Sequence, residues 1–177
     1  MSSAEISSRR TALPHEAPGT FFIHPVTSTK DLIDVASLFE AYAASLEINL
    51  SFQNFATELS HLPGKYGPPS GALLLARHVG TDKAIGCVGL RSLDTESACE
   101  MKRLYVAPQG RGSGLGKALV KQVIEEAKGI GYRSVRLDTL RTMSEAQNLY
   151  KRLGFVERKP YYDTPVEGTV FFELDLS

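Results

Sequence analysis

Val106-Ala107-Pro108-Gln109-Gly110-Arg111-Gly112-Ser113-Gly114-Leu115-Gly116 is the stretch that decides how this chain folds. Before it lies a strand-like segment, 99–106. After it, Leu115, Ala118, Leu119, Val123 and Ala127 recur at helical spacing as far as Gly129 or Gly131. A strand, a glycine-dense turn and a helix in that order bring backbone N–H groups, unobstructed by Cβ atoms, to the positive end of a helix dipole. Such a place binds anions, and Arg111 adds a guanidinium fork suited to phosphate.

Counting tests which phosphate ligand is meant. A P-loop needs Gly-x4-Gly-Lys and then Ser or Thr; here Gly116-Lys117 is followed by Ala118, and Arg stands at 111 where the first Gly would be. A dinucleotide fingerprint begun at Gly112 meets Lys117, and one begun at Gly110 meets Leu115, where a third glycine is required. Asp138, about 20 residues on, does mimic a ribose-binding acid, so a nucleotide-dependent oxidoreductase stays open. Against it, the preceding strand is half polar, unlike the buried parallel strand that opens a Rossmann unit.

Along 99–106, strict alternation puts Glu100, Lys102, Leu104 and Val106 on one face and Met101, Arg103 and Tyr105 on the other. Upstream, 21–26 reads as a strand, and Leu32, Val35, Ala36, Phe39, Tyr42, Ala43 and Leu46 as a helical stripe. A second helix is expected after Ser51, ending before Pro63, and 63–69 is too rich in Pro and Gly for regular structure. Strands at 72–79 and 85–93 are joined by Gly80-Thr81-Asp82-Lys83. Downstream, a strand starts at 135–137, and Thr142 with Glu145 suggests a capping box. Ala146, Leu149, Tyr150 and Leu153 make the helical stripe behind it, closed by Gly154. Strands at 155–158 and 170–174, separated by the loop 159–168, complete a mixed α/β fold. Residues 1–19, rich in Ser, Arg, Pro and Ala, read as a mobile tail, leaving 20–177 as the domain.

With 177 residues, 42% apolar and 23% charged, the chain can bury one real core. Twenty basic residues balance twenty acidic ones, which removes the electrostatic drive for nucleic-acid binding. No apolar run reaches the roughly 18 residues of a membrane span and no signal peptide is evident, so a cytoplasmic location is expected. Cys87 and Cys99 are too few for a disulfide framework or a zinc site, and read as core residues; no metal is expected. His15, His24, His61 and His78 stand in no catalytic spacing and read as surface or strand residues.

The spacing Arg111-x-x-Gly114-x-Gly116, preceded by Val106-x-Pro108, resembles the GNAT superfamily of acetyl-CoA-dependent N-acetyltransferases. Their signature is Arg or Gln, two residues, Gly, one residue, then Gly or Ala. A second element, Ala146-Gln147-Asn148-Leu149-Tyr150-Lys151-Arg152-Leu153-Gly154-Phe155, matches the family's Ala-x-x-Leu-Tyr-x-x-x-Gly-Phe, and Glu100 through Val106 looks like its fourth strand. The resemblance implies a mostly antiparallel central sheet flanked by helices, with a splayed strand pair that binds acetyl-CoA. Gln109, Gly110, Arg111, Gly112, Ser113, Gly114, Leu115 and Gly116 would cradle its pyrophosphate. Leu104, Tyr105 and Val106 would pair with the pantetheine amides.

It further implies direct attack of a primary amine on the thioester through a tetrahedral intermediate, with a backbone N–H near Leu104 for the oxyanion. Tyr150 would be the general acid and Glu100 the base, with Asp138 second in line. By periodicity alone, Tyr150 also reads as a core tyrosine and Glu100 as a solvated carboxylate or an ion-pair partner of Lys102 or Arg103. Tyr66, Tyr161 and Tyr162 are candidates for an acceptor wall, and Arg103, Arg141 or Arg158 for holding a carboxylate. A small-molecule amine or amino acid is the expected acceptor. A peptide or protein amine, and a coenzyme A-binding module without turnover, stay open, and a homodimer is compatible with the sequence. Met143 stands where many family members carry Asn, which removes any cofactor contact made by that amide.

Overall fold

A computed structural model describes residues 20–93 and 97–177; the expected tail lies outside them. Seven strands, β1 (Phe21–Pro25), β2 (Ala72–His78), β3 (Ala84–Ser92), β4 (Ala98–Val106), β5 (Ser134–Leu140), β6 (Val156–Arg158) and β7 (Thr169–Asp175), form one sheet. Its order is β1-β2-β3-β4-β5-β7-β6. All neighbours are antiparallel except β4 and β5, which are parallel. The helices are α1 (Thr29–Ser45), α2 (Phe55–Ser60), α3 (Leu115–Ile130) and α4 (Ser144–Arg152). This is the mixed, mostly antiparallel α/β architecture expected.

The continuous apolar run of β2 follows from burial of both faces. Leu74 and Ala76 join the cluster under α3, with Val88, Met101, Leu119, Val123, Leu137 and Phe172. Leu73 and Leu75 turn to the α1 side, with Val35, Phe39, Tyr66 and Cys87. Helix α3 ends where Gly131 adopts the left-handed conformation at φ 102°. Helix α1 starts in a capping box: the Ser28 hydroxyl accepts from Asp31 N (3.1 Å), and the Asp31 carboxylate accepts from Ser28 N (3.2 Å). The same carboxylate accepts from buried Arg77 (2.7 Å), fastening α1 to β2.

The helix expected from Ser51 is interrupted. Ser51–Gln53 is a 3-10 turn, and Asn54, a residue that tolerates the left-handed region, sits at φ 54° before the chain restarts as the short α2. The capping box expected at Thr142 does not form, because α4 begins one residue later than that box requires, with Met143 at its N-cap and no side-chain cap. Gln147 instead donates to the carbonyls of Leu140 (2.9 Å) and Arg141 (3.1 Å).

The alternation expected along β4 holds only as far as Lys102. Gly89 pairs with Lys102 and Cys87 with Tyr105, so Arg103 and Leu104 together oppose Val88 in a bulge, with Arg103 at φ 59°. The extra residue reverses the parity. Leu104 and Val106 pack with Met101 toward α3, while Tyr105 belongs with Cys87 on the α1 side.

Candidate active site

Strands β4 and β5 pair only at Ala98 with Ser134, Cys99 with Val135 and Glu100 with Arg136. Beyond that point β4 stays with β3 as far as Val106 and β5 with β7 as far as Leu140, so the two diverge in a V. Between the arms lies a cavity of about 60 Å³, whose lining includes Tyr42, Lys102, Leu104, Asp138, Tyr150 and Tyr162. It adjoins an open cleft of about 850 Å³ that runs along Leu104, Tyr105 and Val106 to Gly110, Arg111, Gly112, Gly114, Leu115 and Gly116. Tyr42, Leu104 and Met143 line both spaces, so the two are continuous.

The glycine turn has the form an anion needs. Gly112 (φ 76°) and Gly114 (φ 81°) are left-handed, and a Cβ placed on either would meet no atom within 4 Å. Gly114 is the N-cap of α3 and has no side chain to occupy the first N–H groups of that helix. Gly110 is different: it is buried, and a Cβ there would lie 3.1 Å from Leu115 Cδ2 and 3.2 Å from the Ile85 carbonyl oxygen. Pro108–Gly110 is a 3-10 turn that turns Gln109 outward, away from the cleft lining. Ser113 also lies off the lining, its hydroxyl donating to the Gly110 carbonyl (2.6 Å). Arg111 is exposed at the cleft, with Nε donating to the Val106 carbonyl (3.3 Å).

The bulge orients one peptide of β4. The Arg103 carbonyl accepts from Cys87 Sγ (3.6 Å) on β3. Since the peptide is planar and trans, the Leu104 N–H points the other way, away from β3. Burial pushes both thiols up, Cys99 to about 12, so neither cysteine is a nucleophile at neutral pH.

Tyr150 is both core and cavity lining. It is 6% exposed, and its ring lies against Phe155 (5.8 Å) and Phe172 (6.2 Å). Burial, with Tyr42 and Asp138 nearby, holds its phenol well above the ordinary value of 10.

Glu100 is 1% exposed and its oxygens are engaged. Arg91 donates from Nη2 (2.6 Å) and Nε (2.7 Å), the Tyr161 hydroxyl donates at 2.7 Å, and Lys102 Nζ lies at 3.8 Å. Lys102 also donates to Asp138 Oδ1 (3.4 Å), so a buried lysine stands between the two carboxylates. Of those two, only Asp138 lines the cavity.

The candidates for the acceptor site separate. Tyr162 lines the cavity; its hydroxyl is buried near Asp138 and Thr164, yet makes no hydrogen bond of ordinary geometry. The Tyr161 ring lies under the guanidinium groups of Arg136 (5.8 Å) and Arg158 (5.5 Å), with its hydroxyl on Glu100. Tyr66 packs over Gly89, where a Cβ would come within 2.7 Å of the ring, and donates to Glu58. It lines a separate cleft of about 310 Å³ with Arg91 and His61. Arg103 reaches the cavity but is held by Glu58 (2.6 Å), and Arg158 by Glu173 (2.5 Å). Arg141 is exposed and off the cavity lining.

Residues 42–66, which the family resemblance implies shape the acceptor site, contribute Tyr42 and Gln53 to the cavity, whereas the bridging role of Lys102 is not marked in the sequence. Among the described residues, no cluster of three or more His, Cys, Asp or Glu side chains is placed to hold a metal, and no helix is long and apolar enough to cross a membrane.

The model of the acetyltransferase (GNAT) family matches residues 35–155. The chain is 42% identical to an uncharacterized N-acetyltransferase of Schizosaccharomyces pombe over 161 residues, 90% of this chain and 98% of the relative. Its fold is similar to that of a GNAT-family acetyltransferase from Staphylococcus aureus, with a TM-score of 0.74, 21% identity, and coverage of 89% of this chain and 100% of the other. It is also similar to yncA of Salmonella typhimurium, solved with its cofactor acetyl-CoA, with a TM-score of 0.64, 18% identity, and coverage of 89% and 94%. The diverging strands, the glycine turn at the mouth of their cleft and the family match agree: the chain belongs to the GNAT family and is an acetyl-CoA-dependent N-acetyltransferase.

Proposed function

We propose that the protein moves the acetyl group of acetyl-CoA to the nitrogen of a small primary amine, a small molecule or an amino acid, by direct attack. The observation that carries this reading is the V between β4 and β5, opening beside Tyr150 and continuous with the glycine turn. Bound acetyl-CoA supplies an activated acyl carbon and a diphosphate. The left-handed glycines and the uncapped start of α3 are suited to that diphosphate, with Arg111 at the rim. Where β5 has departed, the cleft side of Leu104, Tyr105 and Val106 offers backbone to the pantetheine amides.

The Leu104 N–H, turned away from β3 by the bulge, is the oxyanion donor. Tyr150, kept protonated by burial, gives a proton to the leaving sulfur. Glu100 holds Lys102 electrostatically from the buried side, and Lys102 in turn meets Asp138, the carboxylate on the cavity lining. The narrow cavity favours a slim amine head over a bulky one.

Calorimetric titration with acetyl-CoA, followed by thiol release against a panel of amines, tests the reading. Saturable binding and turnover on free amines support it. Binding without turnover on any amine would make the chain a coenzyme A-binding module, faster turnover on peptides would move the acceptor class, and binding of NAD(H) in place of acetyl-CoA would overturn the assignment.

A further inference from the structure

The acceptor end of the cavity contains buried polar atoms that make no hydrogen bond of ordinary geometry, with Asp138 and Thr164 close to Tyr162 OH. Of the buried side-chain polar atoms without a hydrogen-bond partner among the described residues, Tyr162 OH belongs to a residue lining this space, and Gln53 Oε1 to a residue lying between it and the neighbouring cleft of about 310 Å³. Each can accept from an N–H donor. Asp138 stands in the same lining, is the one carboxylate there, and keeps 20% of its side chain exposed. Glu100 lies behind Lys102, outside the lining, with Arg91 and Tyr161 on its oxygens. The charged groups facing Asp138 are Lys102, which also touches Glu100, and Arg103, which is held by Glu58; the phenols of Tyr42, Tyr150, Tyr161 and Tyr162 complete its surroundings.

Resting on the acetyl-transfer reading, we infer that Asp138, with Tyr162 and Gln53, forms the subsite for the acceptor's ammonium group and that Asp138 takes its first proton. An acceptor enters as R–NH3+, the form that cannot attack. One proton passes to the Asp138 carboxylate and later to solvent. The freed lone pair forms the bond to the acetyl carbon, the carbon–sulfur bond breaks with its electron pair on sulfur, and a second nitrogen proton ends on that sulfur by way of the Tyr150 hydroxyl.

The same charge pattern sets a preference among amines. Both cations of the lining, Lys102 and Arg103, are already paired, so a carboxylate next to the amine would find no uncommitted partner there and would sit near Asp138. The subsite therefore takes a primary ammonium flanked by uncharged groups, in preference to an α-amino acid. Leu46, Ile48 and Leu50 supply apolar lining for the adjoining carbon chain.

The test is thiol release from acetyl-CoA with two matched pairs, glycinamide against glycine and 2-phenylethylamine against phenylalanine, on the wild type, D138N, D138E and Y162F. Expected for D138N is a loss of about 100-fold in kcat/KM with every amine, with the acetyl-CoA Kd within twofold of wild type. D138E should recover about 10-fold of that loss, since it restores the carboxylate at a changed reach. Y162F should raise the amine KM several-fold and leave kcat near wild type, the signature of lost binding to the acceptor. The wild type should prefer the amide and the simple amine to their carboxylate partners by about 10-fold or more.

If D138N no longer binds acetyl-CoA, Y162F decides, and an unchanged amine KM there overturns the subsite. Equal turnover by D138N and wild type, or preference for the α-amino acids, likewise overturns it while leaving acetyl transfer intact. A wild type that binds acetyl-CoA but acetylates none of these amines or a broader panel overturns the acetyl-transfer reading and the subsite with it.

Discussion

Arg103 on β4, itself buried, and half-buried Glu58 on α2, 45 residues apart, form a two-point ion pair, with Nη2 to Oε2 at 2.6 Å and Nε to the two carboxylate oxygens at 3.2 and 3.3 Å. Helix α2 has no buried residue of its own. Its hold on the sheet combines the packing of half-buried Phe55 and Leu59 against the α1-side cluster with this pair, Tyr66 donating to Glu58, and Phe55 lying 5.1 Å from the guanidinium. The pair also occupies Arg103 at the bulge, which explains why a large residue tolerates the left-handed conformation there.

Glu58→Gln should lower stability by about 3 kcal/mol, because it leaves the Arg103 charge buried without its counterpart. Glu58→Leu combined with Arg103→Met should be less destabilised than either single change, since it removes both charges. Urea unfolding midpoints of Glu58→Gln, the two single changes and the double variant provide the measurement; equal midpoints for Glu58→Gln and wild type would remove the pair's structural role.

Gly114→Ala and Gly112→Ala meet no steric obstacle, so their cost is that of holding alanine at positive φ, about 1 kcal/mol each. The larger effect should be on the ligand. A turn that relaxes toward negative φ turns its amides, and acetyl-CoA Kd should rise about 10-fold, equivalent to about 1.4 kcal/mol. Calorimetry on both variants checks this, and an unchanged Kd would show that the turn does not hold the diphosphate.

Tyr150→Phe should keep acetyl-CoA affinity and lower kcat about 100-fold if the hydroxyl protonates the leaving sulfur. Because burial raises this phenol above its ordinary value of 10, the acid form persists through pH 10. Wild-type kcat should therefore show no fall between pH 8 and about 10 that is absent from Tyr150→Phe. Stopped-time thiol release across that range, on both proteins, is the check.

Burial by itself would raise the Asp31 pKa, but the Arg77 guanidinium and the donors at Thr27 and Ser28 outweigh it and hold the carboxyl well below the usual range. A carboxyl depressed in the folded state stabilises the protein above its unfolded value of about 3.9, and that contribution is lost as pH falls through the lower folded value. Asp31→Asn should lower stability at neutral pH and weaken the acid-induced loss below about pH 4. Thermal melting from pH 7 downward measures both, and parallel curves for the two proteins would exclude the linkage.

Much of this protein was determined by local sequence. Alternating glycines followed by the stripe Leu115, Leu119 and Val123 specify an anion-binding turn and an amphipathic helix, because freedom at φ and a period of 3.6 residues are properties of short segments. The tyrosine of α4 was marked by the same local means, as core by its stripe and as a candidate acid by its motif. Tertiary structure alone decided the rest. Two residues opposite one across β3 and β4 make the bulge, and no single-strand pattern contains that mismatch, so the expected faces of Leu104 and Val106 came out reversed. Which carboxylate meets the cavity was settled the same way. The sequence puts Glu100 ahead of Asp138 as the base, but Arg91 from β3, Lys102 from β4 itself and Tyr161 from a distant loop converge on Glu100, while the divergence of β4 from β5 leaves Asp138 at the opening. Charge pairing depends on distances between segments far apart in the chain, and those distances exist only once the sheet has formed.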